Sequence, residues 1–326
     1  MRAITLQASG PPEALQPAEI DEPQPQPGEV VVELVAAGLN HRDVWQREAA
    51  GNEGAVLGSD GAGRVVQLGD GVDGVNLGDQ VVINPSVGWG DGEEAPAPGW
   101  AILGIPRQGT YAERIAIPAD HVRPRPMNLS WHEAAALPLC GLTAWRALVT
   151  RGRIADGMRV LVTGAGGGAS TFLIQIAAAH GAEVTVTSSS AQKLDRAIGL
   201  GAAHGVLYTD DGWPKQIGEV DLVVDSSGWP SWPGALECLR GGGTLVRFGR
   251  TAGAVAALEI PQLFFGQWNI LGTTMGSPRE FVALLDHVGR AAWRPVVDCV
   301  FPLEQTALAH RRLADPDRFG KIVLEL

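Results

Sequence analysis

The chain has 326 residues, 45% of them apolar and 19% charged, with a formal net charge of −11. That balance fits a globular protein of about two domains, and the negative field excludes nucleic acid and anionic membrane as natural partners. No stretch reaches the ~18 apolar residues of a membrane span, and the start from Met1 to Leu6 is too short for a signal peptide. Cys140, Cys238 and Cys299 are scattered and odd in number, forming neither a disulfide framework nor a C-x-x-C metal pair. A reducing cytoplasm is the expected location.

The part up to about Val122 is rich in glycine and valine. Strand-like runs over 29–35 and 63–68 are divided by turns such as Gly69-Asp70-Gly71 and Leu77-Gly78-Asp79, which predicts a compact β-domain. From Asn84 to Gln108 a segment rich in Gly, Pro and Trp lacks periodicity and reads as a long loop or lobe. Beyond about Arg123 the pattern becomes strand–helix–strand, with strands expected over 160–163, 183–187, 220–225 and 244–248. Such alternation predicts an α/β fold with a parallel sheet covered by helices on both faces. A strand over 269–273, helices over 278–289 and 303–313, and a final strand over 321–326 complete the chain.

The run Val160-Leu161-Val162-Thr163 ends in Gly164-Ala165-Gly166-Gly167-Gly168-Ala169 and enters a segment with helical spacing. A glycine-rich turn between strand and helix lets the backbone approach a ligand, and the helix N-terminus offers unpaired N–H groups to a pyrophosphate. The next strand ends in Ser188-Ser189-Ser190, about 20 residues on, where NAD-binding folds place an acidic residue on the ribose 2′-hydroxyl. No carboxylate lies between Val184 and Ala191, and Lys193 follows one turn later. Hydroxyls and a cation suit the 2′-phosphate of NADPH; the serines also suit a helix N-cap, and both roles can hold together.

Several segments carry a family resemblance: Ala37-Gly38-Leu39-Asn40-His41-Arg42-Asp43, Leu57-Gly58-Ser59-Asp60-Gly61-Ala62-Gly63, Gly109-Thr110-Tyr111-Ala112-Glu113, Leu142-Thr143-Ala144-Trp145 and Phe319-Gly320-Lys321-Ile322-Val323-Leu324. Together they resemble the medium-chain dehydrogenase/reductase superfamily over essentially the whole chain. The resemblance implies a GroES-like substrate domain over 1–122, a Rossmann domain over 123–265, and a segment over 266–326 that completes the sheet and returns to the first domain. In zinc alcohol dehydrogenases a cysteine stands in the place of Asn40 and Gly-His-Glu in the place of Gly58-Ser59-Asp60. A later cysteine ligand aligns with Leu139, beside Cys140. Asparagine and serine are poor zinc ligands, and the lobe lacks the cysteines of a structural zinc site. The pattern therefore looks like the zinc-independent quinone oxidoreductase (zeta-crystallin-like) branch, or a zinc-type lineage that lost its metals.

That resemblance implies hydride transfer from NADPH to a quinone or α,β-unsaturated carbonyl, whose conjugation spreads the developing charge without a Lewis acid. Asn40 is expected nearest the substrate as an amide donor, or as a plain turn residue. Asp43 is expected to orient loops or lie near a proton path. His41 is either a general acid or structural. Trp45 replaces a tyrosine that reaches the substrate in relatives, and indole cannot act as a proton-transfer acid, which leaves the proton donor open, with solvent as one source. Thr143 is expected at the nicotinamide end, with Ser226 and Ser227 where the cofactor crosses the carboxyl edge of the sheet; Phe248, Gly249, Arg250, Thr274 and Met275 either flank the nicotinamide or form ordinary strand-end turns, and Tyr208 either packs on the adenine ribose or is a plain strand-end aromatic. Lys321 is expected to contact the cofactor. Ser170 is expected to cap the helix after the glycine turn. Trp45, Trp89 and Trp100 either line a flat wall for an aromatic acceptor or fill a core. A homodimer joined through the Rossmann sheets near 244–248 is implied. A carbonyl or alcohol oxidoreductase and a non-catalytic NADPH-binding protein are the alternatives.

Overall fold

The computed structural model describes residues 1–228, 231–251, 253 and 257–326. The chain divides into two units, Met1–Leu142 with Gly276–Leu326, and Thr143–Met275. The division near residue 122 moves to 142 because the helix Trp131–Ala136 packs on the strands Glu29–Gly38 and Asp60–Leu68 of the first unit. The boundary thus falls inside the helix Pro138–Trp145.

In the first unit the sheet runs in the order Val297–Pro302, Lys321–Glu325, Glu29–Gly38, Asp60–Leu68, Gln80–Ile83 and Val122–Pro124, with Arg114–Pro118 also on Glu29–Gly38. The strand Glu29–Gly38 is apolar on alternate and adjacent positions alike because both its faces are covered. Val30, Val32, Leu34, Val65, Ile83 and Ile115 form one core. Ile4, Leu6, Leu39, Tyr111, Leu313 and Ile322 belong to a second.

Register decides what the sheet does for the site. Gly38 faces Asp60 on one neighbour and Val323 on the other. The last residues of one strand and the first residues of two others therefore meet, which gathers Asn40, Asp60 and Lys321. Gly38 has to be glycine: a Cβ there would lie 2.5 Å from the Ala135 carbonyl oxygen and 3.1 Å from Asp60 Cβ.

The lobe carries a short hairpin of Ser86–Val87 with Ala101–Ile102. Trp89 is 1% exposed and meets Trp100 edge-to-face with centroids 5.8 Å apart. Their indole N–H groups donate to the Gly92 carbonyl and Ser86 Oγ. Both rings fill the lobe, so neither forms an exposed wall.

The second unit is a parallel sheet in the order His204–Leu207, Glu183–Ser188, Arg159–Val162, Val220–Asp225, Leu239–Arg247 and Asn269–Gly272. The strand order reverses between Arg159–Val162 and Val220–Asp225, the place where doubly wound sheets bind ligands. The strand His204–Leu207 was not expected, since only Val206 and Leu207 in it are apolar; it sits at the sheet edge, where less burial is needed. Leu239–Arg247 has a strand on each side, so the expected junction near 244–248 has no free edge. Among the described residues, the edge strands of this sheet are His204–Leu207 and Asn269–Gly272.

Gly38→Ala is expected to cost about 1–3 kcal/mol, read as a lowered midpoint in chemical denaturation. A wild-type midpoint would show that the contact with Ala135 relaxes without cost.

Candidate active site

In the second unit, the strand Arg159–Val162 leads through Thr163 and Gly164 to the helix Gly168–Ala179. Gly164 has φ +76°, and a Cβ there would lie 2.8 Å from Ser227 Oγ. Glycine therefore lets the turn close on the end of the neighbouring strand. The helix N-cap is Gly167, with no side-chain hydrogen bond; the first-turn N–H groups remain for a ligand. Ser170, expected as the cap, lies instead inside the helix, 1% exposed, with Oγ 3.4 Å from the Thr163 carbonyl. Gly166, Gly167, Gly168 and Ala169 form the rest of the turn and the helix start.

Sequence reasoning passed over the polar centre of this crevice. Asp225 is fully buried and accepts from Thr163 Oγ1 at 2.6 Å and from the Ser227 and Gly228 N–H groups at 3.1 and 3.2 Å. Arg247 pairs with it at 3.2 Å while stacking over Trp232. No local pattern signals this pair, because it depends on Asp225 and Arg247 ending adjacent parallel strands in register. Ser226 and Ser227 lie on this loop, and a Cβ on Gly249 would lie 3.0 Å from the Ser226 carbonyl. Phe248 bonds back to the Asp225 carbonyl; Arg250 beyond it is exposed. Thr143 and Met275 come together, Oγ1 to Sδ at 3.9 Å, with Thr274 half-buried alongside in sequence.

At the next strand end, Ser188 is 5% exposed and its Oγ accepts from the Ser190 N–H. Ser190 caps the helix Ala191–Ile198 through the Lys193 N–H. Ser189 is exposed and Lys193 half-buried. Tyr208 is 40% exposed, and its backbone N–H donates to the Ser188 carbonyl. The capping role of the serines is thus realised, while Ser189 and the Lys193 turn face outward beside it.

The first unit holds a buried polar cluster. Asn40 is 3% exposed, and its amide donates to Asp60 Oδ2 at 2.9 Å and toward Ser59 Oγ at 3.4 Å. Its amide hydrogens are thereby committed within the protein, which corrects the expectation of a donor aimed at substrate. Lys321, 2% exposed, donates to the Leu39 carbonyl at 2.6 Å, Asn40 Oδ1 at 2.5 Å and Asp60 Oδ2 at 3.0 Å. Cys140 Sγ lies 3.7 Å from the same ammonium and 3.3 Å from Asn40 Oδ1. Burial opposes the charge of Lys321, but Cys140 and Asp60 outweigh it and hold its pKa above the ordinary lysine value. Burial pushes the Cys140 thiol up, partly offset by Lys321. The ammonium expected at the cofactor is therefore placed inside this cluster. Its position at the start of a strand paired with Glu29–Gly38 explains why no local motif revealed its partners.

Asp43 is fully buried, accepting from the Asn40 N–H and from the Tyr111 hydroxyl, both at 2.8 Å. Burial raises its pKa, partly offset by Arg42 and these donors. It closes the first turn of the helix His41–Glu48 and ties that helix to Tyr111. Burial, then Arg318 and Lys321, lowers His41 to about 4. At neutral pH it is an uncharged imidazole, half-buried, with its ring against Trp45. His310 is 1% exposed, edge-on to Tyr111 and beside Arg47; burial and that guanidinium lower it to about 3. Among the described residues no group of three or more His, Cys, Asp or Glu side chains is arranged to hold a metal ion.

A GroES-like unit and a doubly wound sheet with a glycine turn at its switch point define a dinucleotide-dependent dehydrogenase or reductase. The alcohol dehydrogenase GroES-like domain family matches residues 26–127, and the zinc-binding dehydrogenase family matches 168–290. A zinc-type alcohol dehydrogenase-like protein of Schizosaccharomyces pombe is 35% identical, covering 96% of this chain and 95% of that protein. A quinone oxidoreductase of Salmonella typhimurium is 29% identical over 79% and 75% of the two chains. A crystal structure of an NAD-dependent alcohol dehydrogenase superposes with TM-score 0.94, 40% identity and full coverage of both chains. The chain belongs to the medium-chain dehydrogenase/reductase superfamily and is an NAD(P)-dependent oxidoreductase.

The low pKa of His310 sets a direction for acid stability. Below pH 6.5 the unfolded chain takes up a proton that the folded chain refuses until about pH 3, so stability falls on acidification across that window. His310→Gln is expected to flatten the dependence by up to about 1.4 kcal/mol per pH unit, measured by denaturant midpoints from pH 7 to 4. An unchanged slope would show that His310 is not the group responsible.

Proposed function

We propose that the protein is an NADPH-dependent reductase that delivers hydride to a quinone or α,β-unsaturated carbonyl without a catalytic zinc. The observation that carries this reading is the donor set where zinc-type relatives place their ligands. An amide, a hydroxyl and a carboxylate stand there, and Lys321 already brings a positive charge 3.0 Å from Asp60 and 2.5 Å from Asn40. A zinc ion would meet cationic repulsion, would find no imidazole and would have only the one buried Cys140 thiol, whose ionisation burial opposes, so these residues do not fit it.

Without a Lewis acid, an isolated ketone is a demanding acceptor, whereas a conjugated one disperses its own charge. The bound dinucleotide supplies the hydride. The chain's part is to hold its pyrophosphate at the helix after Gly167 and its nicotinamide end among Thr143, Ser226, Ser227, Phe248, Gly249 and Met275. Ser189 and Lys193 suit the 2′-phosphate, with no carboxylate there to repel it. Trp45 contributes an N–H that can donate a hydrogen bond but cannot release a proton; the proton comes from solvent. The sequence likeness to a quinone oxidoreductase agrees with this chemistry.

A second reading, oxidation of alcohols or reduction of simple carbonyls, is favoured by the 40% identical structure named as an alcohol dehydrogenase. Two further parts of the proposal are a cytoplasmic location and a homodimer. The second rests on the edge strand Asn269–Gly272 beside the helix Ile260–Gly266, where Phe264 is 51% and Phe265 80% exposed. No helix among the described residues is long and apolar enough to cross a membrane.

The test is oxidation of NADPH, followed by absorbance, with EDTA-treated protein and a panel of benzoquinone, phenanthrenequinone, an alkyl enone and a simple ketone. Turnover of quinone or enone that survives EDTA is expected, faster with NADPH than NADH. Alcohol-dependent reduction of NADP would move the protein to the second reading, and tight binding with no turnover would overturn both. Lys193→Glu is expected to weaken NADPH at least tenfold more than NADH, a differential of about 1.4 kcal/mol. Equal weakening would remove Lys193 from the phosphate site.

A further inference from the structure

The polar cluster of the first unit has few hydrogens left for a substrate. The Asn40 amide donates to Asp60 and toward Ser59, the Lys321 ammonium to oxygens of Leu39, Asn40 and Asp60, and the Tyr111 hydroxyl to Asp43. One cation beside the cluster is committed far less. Arg42, the second residue of the helix His41–Glu48, sends Nη1 to the Leu103 carbonyl at 2.8 Å. Among the described residues that is its one hydrogen bond, and it has no ion pair. A guanidinium presents its N–H donors as a rigid fork, and all but one of these are without a protein acceptor.

Local geometry holds that fork in place. Gly104 has φ +111°, and a Cβ there would lie 3.1 Å from Arg42 Nη1 and 2.9 Å from the Gly58 carbonyl oxygen. Glycine at 104 therefore lets the guanidinium reach Leu103 and sets it close to Gly58, the residue before Ser59 and Asp60. Arg42 is half-buried, and burial, opposed first by Asp43, pulls its pKa below the usual arginine value. Asp43 bonds to the Asn40 N–H and to Tyr111, and Asp60 to Asn40, Lys321 and the Leu139 N–H; neither bonds to Arg42. The adjacent His41 is uncharged at neutral pH and adds no competing cation. A guanidinium partly withdrawn from water, with no carboxylate of its own, is a receptor for one from outside.

We propose that Arg42 recognises a carboxylate on the substrate, so that the preferred acceptor is a conjugated carbonyl compound carrying an acid group, of the 4-oxo-2-enoate type. The inference rests on the reductase reading above and names the substrate class of that same site. A carboxylate takes two parallel N–H bonds from the fork, which orient the molecule as well as bind it. A neutral analogue leaves the same donors unmatched. The net charge of −11 repels an acidic substrate at long range, so the local fork supplies the attraction. The acid group takes no part in the chemistry. Hydride from the dinucleotide adds to the carbon β to the ketone, the displaced electron pair moves to the carbonyl oxygen, and solvent protonates the enolate.

The experiment compares trans-4-oxo-2-pentenoate with its methyl ester, which keeps the conjugated ketone and removes the charge. Both are offered with NADPH to wild type, Arg42→Gln and Arg42→Lys. Wild type is expected to favour the acid in kcat/KM, and Arg42→Gln to lower the acid-to-ester ratio by roughly 10- to 100-fold. Arg42→Lys, which keeps the charge and loses the fork, should fall between them. A wild type indifferent to the charge, or an Arg42→Gln variant that loses acid and ester equally, overturns the proposal; turnover of benzoquinone by the same wild type would leave the reductase reading standing. If wild type reduces none of these acceptors, the reductase reading fails, and calorimetric titration with the acid in the presence of NADP decides the anion site by itself. Binding weakened at least tenfold in Arg42→Gln supports the site; no binding, or equal binding by both proteins, overturns it. If Arg42→Gln does not fold, Arg42→Lys carries the comparison, and a wild-type acid-to-ester ratio in that variant overturns the proposal.

Discussion

A buried ammonium must find its hydrogen-bond partners inside the protein, and the first unit is organised around satisfying one. Lys321 reaches Leu39, Asn40 and Asp60 only because Gly38 sits in register with both Asp60 and Val323. The same register requires Gly38 to pass the Ala135 carbonyl without a side chain. The strand ends, the helix Trp131–Ala136 and the start of the helix bearing Cys140 are thereby fixed relative to one another. Shifting any pairing by one residue would turn the ammonium or the carboxylate into an uncompensated charge, a far larger penalty than the loss of one sheet hydrogen bond.

The neighbouring groups follow the same economy of charge. Asp43, with one oxygen on Tyr111 and on the Asn40 N–H, holds the helix His41–Glu48 against the second core. His41 and His310 are held neutral by burial and nearby cations. The first unit therefore keeps one buried ammonium paired and the His41 and His310 imidazoles uncharged.

In the second unit the corresponding constraint is the switch point. Arg159–Val162 and Val220–Asp225 diverge in chain order there, and Asp225 fills the gap with bonds to Thr163, Ser227, Gly228 and Arg247. That network stiffens the loops around the helix N-terminus, leaving the uncapped first turn as the place for an anion. An acidic protein can in this way present a local anion site built from backbone dipoles instead of a basic surface.

The sequence by itself determined the α/β class, the glycine turn at Gly164 to Gly168, the absence of zinc-type ligands at Asn40 and Ser59, and the superfamily. These are local: a strand–turn–helix pattern or a ligand residue is written in consecutive positions. It also pointed to a helix cap among the serines at 188–190, and Ser190 fills that role in the fold. Only the tertiary structure decided where Lys321 sends its ammonium, that Asn40 bonds inward, that Gly167 and not Ser170 is the helix N-cap, and that Thr244 lies on an interior strand. It also supplied the edge strand His204–Leu207 and the Asp225–Arg247 pair. Each of these depends on which strands pair and in what register, a long-range choice that no window of neighbouring residues contains.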